Sequence, residues 1–215
     1  MFPLGSVLTR GQVLPLHVFE PRYRRLVGDC LEGDGTFGVV LIERGSEVGG
    51  GDVRSDLGTL ATIVDARALP DGRWAVVAVG GDRIRITRWG EDDPYPCADV
   101  TPWPDADPSD GLPAAVGVAA DRLRAVLALA SEMGVDDLRL DLELDADPRR
   151  AADQLVAASP VGPLDRQRLL ACAGPDERMA VLAELLDGAL DVLRAQIDTP
   201  GPSEEEWRDG DWGEN

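Results

Sequence analysis

"FPLGSVLTRGQVLPLHVFEPRYRRLVGDCL" spans residues 2–31 and changes period half-way along. As far as Val18 the stretch is apolar but cut by Pro3, Gly5, Gly11 and Pro15. Proline fixes φ and removes a backbone donor, so extended segments are expected there and a helix is not. From Glu20 onward the period is helical. Tyr23, Leu26, Val27, Cys30 and Leu31 recur at i, i+3, i+4, i+7 and i+8 and form one apolar stripe. Pro21 suits the first helical position, where its missing N–H would have no partner in any case. Arg22, Arg25 and Asp29 fall off the stripe. The reading is a strand pair feeding a short amphipathic helix.

Beyond that helix the chain returns to strand character. "TFGVVLIERG" (36–45), "LGTLATIVDARALP" (57–70) and "RWAVVAVGGDRIRITRWG" (73–90) are rich in β-branched residues. In the last of these, Ile84 and Ile86 alternate with Arg83, Arg85 and Arg88, as in a half-buried strand. "PDG" at 70–72 is a turn, with Pro presetting φ and Gly supplying the left-handed conformation. "SEVGGGDVRSD" (46–56) reads as a polar loop, and "YPCADVTPWP" (95–104) as an edge strand limited by its prolines. Many strands and one helix point to a small barrel or sandwich.

At "PDADPSDGLP" (104–113) the composition shifts, and the segments beyond it are mostly helical. A long helix is expected near 113–133, with Leu123, Val126, Leu127 and Ala130 on one face. Others are expected from Pro148, over 163–174 and over 175–197, the last with Asp176 and Glu177 in its first turn, where the helix dipole favours acids. The fold class is α+β. Residues 1–111 form a small β-barrel, 112–198 a helical bundle, and 199–215 an acidic disordered tail in which Trp207 and Trp212 are available for docking. Within the helical half, "LRLDLELDAD" (138–147) alternates with strand period and is expected to be a minor strand or an extended brace.

Net charge is −19, spread as −7 over residues 1–111, −7 over 112–198 and −5 over 199–215. That balance disfavours nucleic-acid backbones and anionic lipid. No apolar run is long enough to span a bilayer, and no basic segment followed by an apolar one opens the chain, so a cytoplasmic location is expected.

Missing residue types exclude several chemistries. All 21 basic residues are arginine. Without lysine there is no phosphate-binding P-loop, no Ser–Lys dyad and no pyridoxal Schiff base. His17 is the only histidine, and Cys30, Cys97 and Cys172 are isolated, which suits core thiols and not a zinc or redox site. His17 with nearby Ser6 does not make a triad, and no GxSxG elbow occurs. "VGGGD" (48–52) lacks the strand and helix that a phosphate loop requires. Asp141, Glu143, Asp145 and Asp147 imitate the start of a calcium loop, but Ala146 and Ala152 stand where glycine and the bidentate glutamate belong. No catalytic residue, metal ligand or cofactor is assigned.

Taken in order, "FPLGSVL…VLPLHVFEPRYRRLV", "FGVVLIERGSEVGGGD" and "DLGTLATIVDARALPDGRWAVVAVGGDRIRI" resemble the N-terminal substrate-binding domain of Lon protease, most closely in its stand-alone form. "DPRRAADQLVAASPVGPLDRQRLLACAGPDERMAVLAELL" resembles the helical part that comes after it in Lon, so the likeness covers about residues 2–197. The resemblance implies a PUA-like barrel followed by a helical bundle, with a role in engaging unfolded polypeptide and supporting oligomers. The ATPase and Ser–Lys peptidase modules of Lon are not expected here. The function read from the sequence is a non-catalytic polypeptide-binding module whose partners are unfolded or extended chains. Phe19, Glu20, Arg22, Tyr23 and Arg25 flank the contact. The alternative is an adaptor or assembly subunit that docks on a separate protease or ATPase through its acidic tail.

Overall fold

Six strands form one mixed sheet in the computed structural model, which describes residues 1–45, 52–135 and 142–198. In chain order the elements are β1 (Phe2–Leu4), β2 (Val13–Val18), α1 (Pro21–Glu32), β3 (Thr36–Arg44), β4 (Val53–Ala68), β5 (Trp74–Asp92) and β6 (Pro96–Pro102). Then come α2 (Leu112–Glu132), α3 (Pro148–Ala158), α4 (Pro163–Ala171) and α5 (Pro175–Asp198). The turn between β4 and β5 uses Gly72 at φ 79°, as "PDG" demands.

The expected pairing of the first two strands is corrected. β1 runs parallel to β3, with Phe2 opposite Val39 and Leu4 opposite Leu41. β2 runs antiparallel to β5, from Val13 opposite Val79 to Val18 opposite Trp74. The sheet order is β1-β3-β4-β5-β2, so the two segments lie at opposite ends of the path. Each needs a wide apolar partner, and β3 and β5 offer one where a hairpin between two short strands would not.

β5 carries β4 along one edge and divides the other between β2 and β6. The change of partner falls at Gly80. Its N–H donates to Gln12 O (3.0 Å), its carbonyl accepts from Gly11 N (2.8 Å), and a Cβ here would collide with the carbonyl oxygen of Thr9. Glycine is needed because another backbone passes over this point.

The barrel is not closed. Among the described residues no ladder joins β1 to β2 or to β6, and Met1 N to Pro96 O (2.7 Å) is the contact that bridges toward β6. β1 is three residues long and contains Pro3, so it lacks the donors to pair fully on both edges.

α1 lies against the sheet through Tyr23, Leu26 and Val27, which join Phe2, Leu4, Val18, Phe37, Val39 and Val76 in one core. Leu31, the last residue of the expected stripe, is 44% exposed, because the helix ends one residue later. Cys30 is half-buried and Cys172 buried, but Cys97 is exposed, against the expectation of core thiols. The helices enclose a second core around Leu112, Leu123, Leu155, Leu169, Met179, Leu182 and Leu186. Asp147 caps α3 by accepting from Arg149 N (2.9 Å). Of the alternating segment, residues 138–141 lie outside the described residues. Leu142 and Leu144 pack against the helical core without forming a strand, so that part is a brace. The tail at 199–215 also lies outside the described residues.

Sheet and bundle meet across buried polar groups. Arg83, 5% exposed, donates to the carbonyls of Leu170 (2.6 Å) and Cys172 (2.5 Å) and pairs with Asp105 (2.6 Å). Arg178 pairs with Asp105 and donates to Leu169 O (3.1 Å). Gln167 Nε2 donates to Ser55 Oγ (2.7 Å) and Leu57 O (3.3 Å). Among the carbonyls at the end of α4, those of Leu170 and Cys172 thus receive a donor from the sheet and that of Leu169 one from α5.

Candidate functional site

β2 and the first turn of α1 form the site, with β1 opposite. Val18 is buried in the core, so the chain leaves the sheet at Phe19 and turns into the helix at Pro21. Phe19 cannot follow Val18 inward and remains 56% exposed. A groove of about 220 Å³ opens here, lined by Phe2 and Leu4 from β1, Leu16 and His17 from β2, and Phe19, Glu20 and Tyr23.

The sequence-derived residues separate into groups. Phe19, Glu20 and Tyr23 line the groove. Tyr23 is its floor: 4% exposed, with its ring stacked on Phe2 at 4.2 Å between centroids and the Arg22 guanidinium 4.5 Å from its face. Burial pushes its phenol up from the ordinary value, so it stays a neutral hydroxyl. Arg22 holds Glu20 at the rim (3.0 Å). Arg25 is one turn further along α1 and outside the lining. Its Nε pairs with Asp29 (2.9 Å), which also accepts the Tyr95 hydroxyl (2.8 Å) and sits below the usual carboxylate range, first because of that hydroxyl.

Sequence reasoning missed Phe2, Leu4, Leu16 and His17. The signal was present in "VLPLHV", whose alternation puts Leu14, Leu16 and Val18 on one side and Val13, Pro15 and His17 on the other. The outer side faces a second, shallower concavity of about 690 Å³, lined by Pro15, His17, Asp65, Arg67, Ala75 and Val77.

Among the described residues no group of three or more His, Cys, Asp or Glu side chains is placed to hold a metal ion. No helix among them is long and apolar enough to cross a membrane.

Fold and groove together define an open mixed sheet with an appended helical bundle and an apolar recess at the free end of the sheet. Residues 1–188 match the ATP-dependent protease La (LON) substrate-binding domain, and the chain belongs to that family. It is similar to the Lon protease of Cytophaga hutchinsonii, 27% identical over 199 residues, covering 87% of this chain and 23% of that protein. The Lon protease of Escherichia coli is 25% identical over 203 residues, covering 91% of this chain and 25% of that one. The chain thus spans about a quarter of the length of these relatives. Among solved structures, the Lon N-terminal domain protein from Xanthomonas campestris superposes with a TM-score of 0.57 at 26% identity, covering 86% of this chain and 95% of that one. The N-terminal domain of the Mycobacterium avium complex Lon protease shares the fold, with a TM-score of 0.58 at 20% identity over 86% and 96% of the two chains.

Proposed function

We propose that this chain is a polypeptide-recognition module without catalytic groups of its own, which holds exposed apolar segments of unfolded or extended proteins at the groove between β1, β2 and α1. The observation that carries the reading is an apolar recess of about 220 Å³ with a half-exposed phenylalanine at its mouth, in a chain of the LON substrate-binding family. The recess is smaller than the roughly 300–1,000 Å³ of small-molecule sites, and suits one or two side chains of a longer ligand. Glu20, held by Arg22, gives its border a polar rim beside an apolar centre, the anatomy of protein interfaces. The alternative of an adaptor docking through its tail rests on residues outside the described part of the chain.

The test is fluorescence anisotropy with labelled, reduced and carboxymethylated α-lactalbumin, a permanently unfolded chain. Saturable binding is expected. It should weaken about tenfold in Phe19→Asp, and measurably in Arg22→Glu combined with Arg25→Glu, with the melting temperature of Phe19→Asp unchanged. Absence of saturable binding, or binding indifferent to Phe19, refutes the reading.

A further inference from the structure

Among the described residues, buried hydroxyl groups are hydrogen-bonded, with one exception. Thr59 Oγ1 donates to Leu8 O (2.7 Å), Ser159 Oγ to Val156 O (2.8 Å) and Thr9 Oγ1 to Gln12 Oε1 (3.2 Å). Ser55 Oγ accepts from Gln167 Nε2 (2.7 Å). Tyr95, the other tyrosine of the chain, donates to Asp29 (2.8 Å). The exception is Tyr23. Its side chain is buried, yet no described residue forms a hydrogen bond with its hydroxyl. The charged groups beside it, Arg22 and Glu20, are paired with each other (3.0 Å).

A hydroxyl shut away without a partner costs free energy, so native folds rarely keep one. Among the described residues Gln167 Oε1 is the occluded side-chain atom left unpaired, and the Tyr23 oxygen is not in that condition. It reaches open space, and the opening that Tyr23 lines is the groove between β1, β2 and α1. The surroundings are otherwise carbon. Phe2 stacks on the Tyr23 ring at 4.2 Å, and Leu4, Leu16 and Phe19 continue the apolar lining. A side chain that enters over them meets carbon along its length and, at the floor, one group able both to donate and to accept. A methyl or phenyl tip displaces water from that group and leaves it unpaired. A tip with its own O–H or N–H restores the bond that the water made.

We infer that Tyr23 is a specificity-determining residue of the groove, whose hydroxyl selects side chains that are apolar along their length and carry a hydrogen-bonding tip, tyrosine above phenylalanine. The inference rests on the polypeptide-recognition reading and names the class of side chain that the groove reads. The aromatic and aliphatic lining accepts the body of either residue, and the floor hydroxyl tells them apart. The preference is modest, roughly threefold to tenfold, because a neutral hydrogen bond that replaces one to water gains little.

The experiment uses the full chain and two short dye-labelled peptides of glycine and serine, identical except for a central tyrosine or phenylalanine, read by fluorescence anisotropy. The parent protein is expected to bind the tyrosine peptide roughly threefold to tenfold more tightly, and Tyr23→Phe to bind the two alike. The preference is a ratio measured on each protein, so a general loss of affinity or of folded protein in the variant leaves it unchanged. Tyr23→Phe keeps the ring on Phe2 and gives up no internal hydrogen bond, so its melting temperature should equal or exceed that of the parent. Equal affinity of the parent for the two peptides overturns the inference, and so does a preference that survives in Tyr23→Phe. A clearly lower melting temperature of Tyr23→Phe would show that the hydroxyl has a partner within the fold, and overturns it too. If carboxymethylated α-lactalbumin binds through Phe19 while the two peptides bind alike or not at all, this inference falls and the recognition reading stands; if neither α-lactalbumin nor the peptides bind, both fall.

Discussion

Tyr23 shows how one side chain does several things at once. Its ring fills the angle between α1 and β1, its face takes the Arg22 guanidinium, and its edge lines the groove. Phe2→Ala removes the partner of that stack from a buried site. It is expected to lower stability by about 3–4 kcal/mol, measured by urea denaturation. Gly80→Ala is expected to be damaging for a different reason: the new methyl group meets the Thr9 carbonyl, and the backbone crossing must open. A loss of about 1–3 kcal/mol in the same measurement checks it, and an unchanged denaturation midpoint contradicts it. The stripe carrying Tyr23 was plain in the sequence. The role of Gly80 was not, because the backbone that passes over it comes from residues far away in the chain. Arg83 was misleading. Alternating with Ile84 and Ile86, it reads as solvent-facing, yet it is 5% exposed, because the bundle covers the face that the alternation leaves outside.

Elements are tied to one another by a few charged side chains. Arg54, near the start of β4, donates to Asp52 (2.6 Å) and to Asp92 at the end of β5 (2.5 Å), with its guanidinium 4.8 Å from the Trp89 ring. Both carboxyls are held below their ordinary value, chiefly by these hydrogen bonds. A lowered carboxylate stabilises the fold fully above its unfolded pKa of about 4, and that contribution disappears as pH falls through the lowered value. Arg54→Met is therefore expected to cost about 1–2 kcal/mol near neutral pH, moderated by the exposure of Asp92 to water. The difference from the parent protein should shrink toward about pH 2. Thermal melts of both proteins across that range decide it; a gap independent of pH would assign the loss to packing on Trp89. At this scale the helices were the most legible part, since each begins at or within a residue of a proline and carries an apolar stripe. Strand partners were less so. The apolar residues, prolines and glycines of 2–18 showed extended segments, but not which neighbour each would take.

At the scale of the molecule, two cores are held together by a polar junction of small apolar content, in which Val7, Leu41 and Leu170 make the main apolar contact. Arg83→Met would strip donors from the carbonyls of Leu170 and Cys172 and leave Asp105 to Arg178 alone. A loss of about 3 kcal/mol is expected. The tryptophans at 74, 89 and 103 report on the sheet and its junction, while far-UV circular dichroism reports mainly on the helices. The two denaturation curves should coincide in the parent protein and separate in the variant. Curves that superpose in the variant would show that other contacts couple the halves.

By itself the sequence determined the order of elements, the apolar stripes of α1 and α2, the exclusion of lysine chemistry and the family likeness, because periodicity, turn residues and composition are local properties of the chain. Only the tertiary structure decided that β1 and β2 sit at opposite ends of an unclosed sheet, that Tyr23 lies beneath the groove while Arg25 turns to Asp29, and that Arg83 is buried. Those outcomes depend on which distant surfaces meet, and on packing that satisfies buried donors and acceptors together across the whole fold.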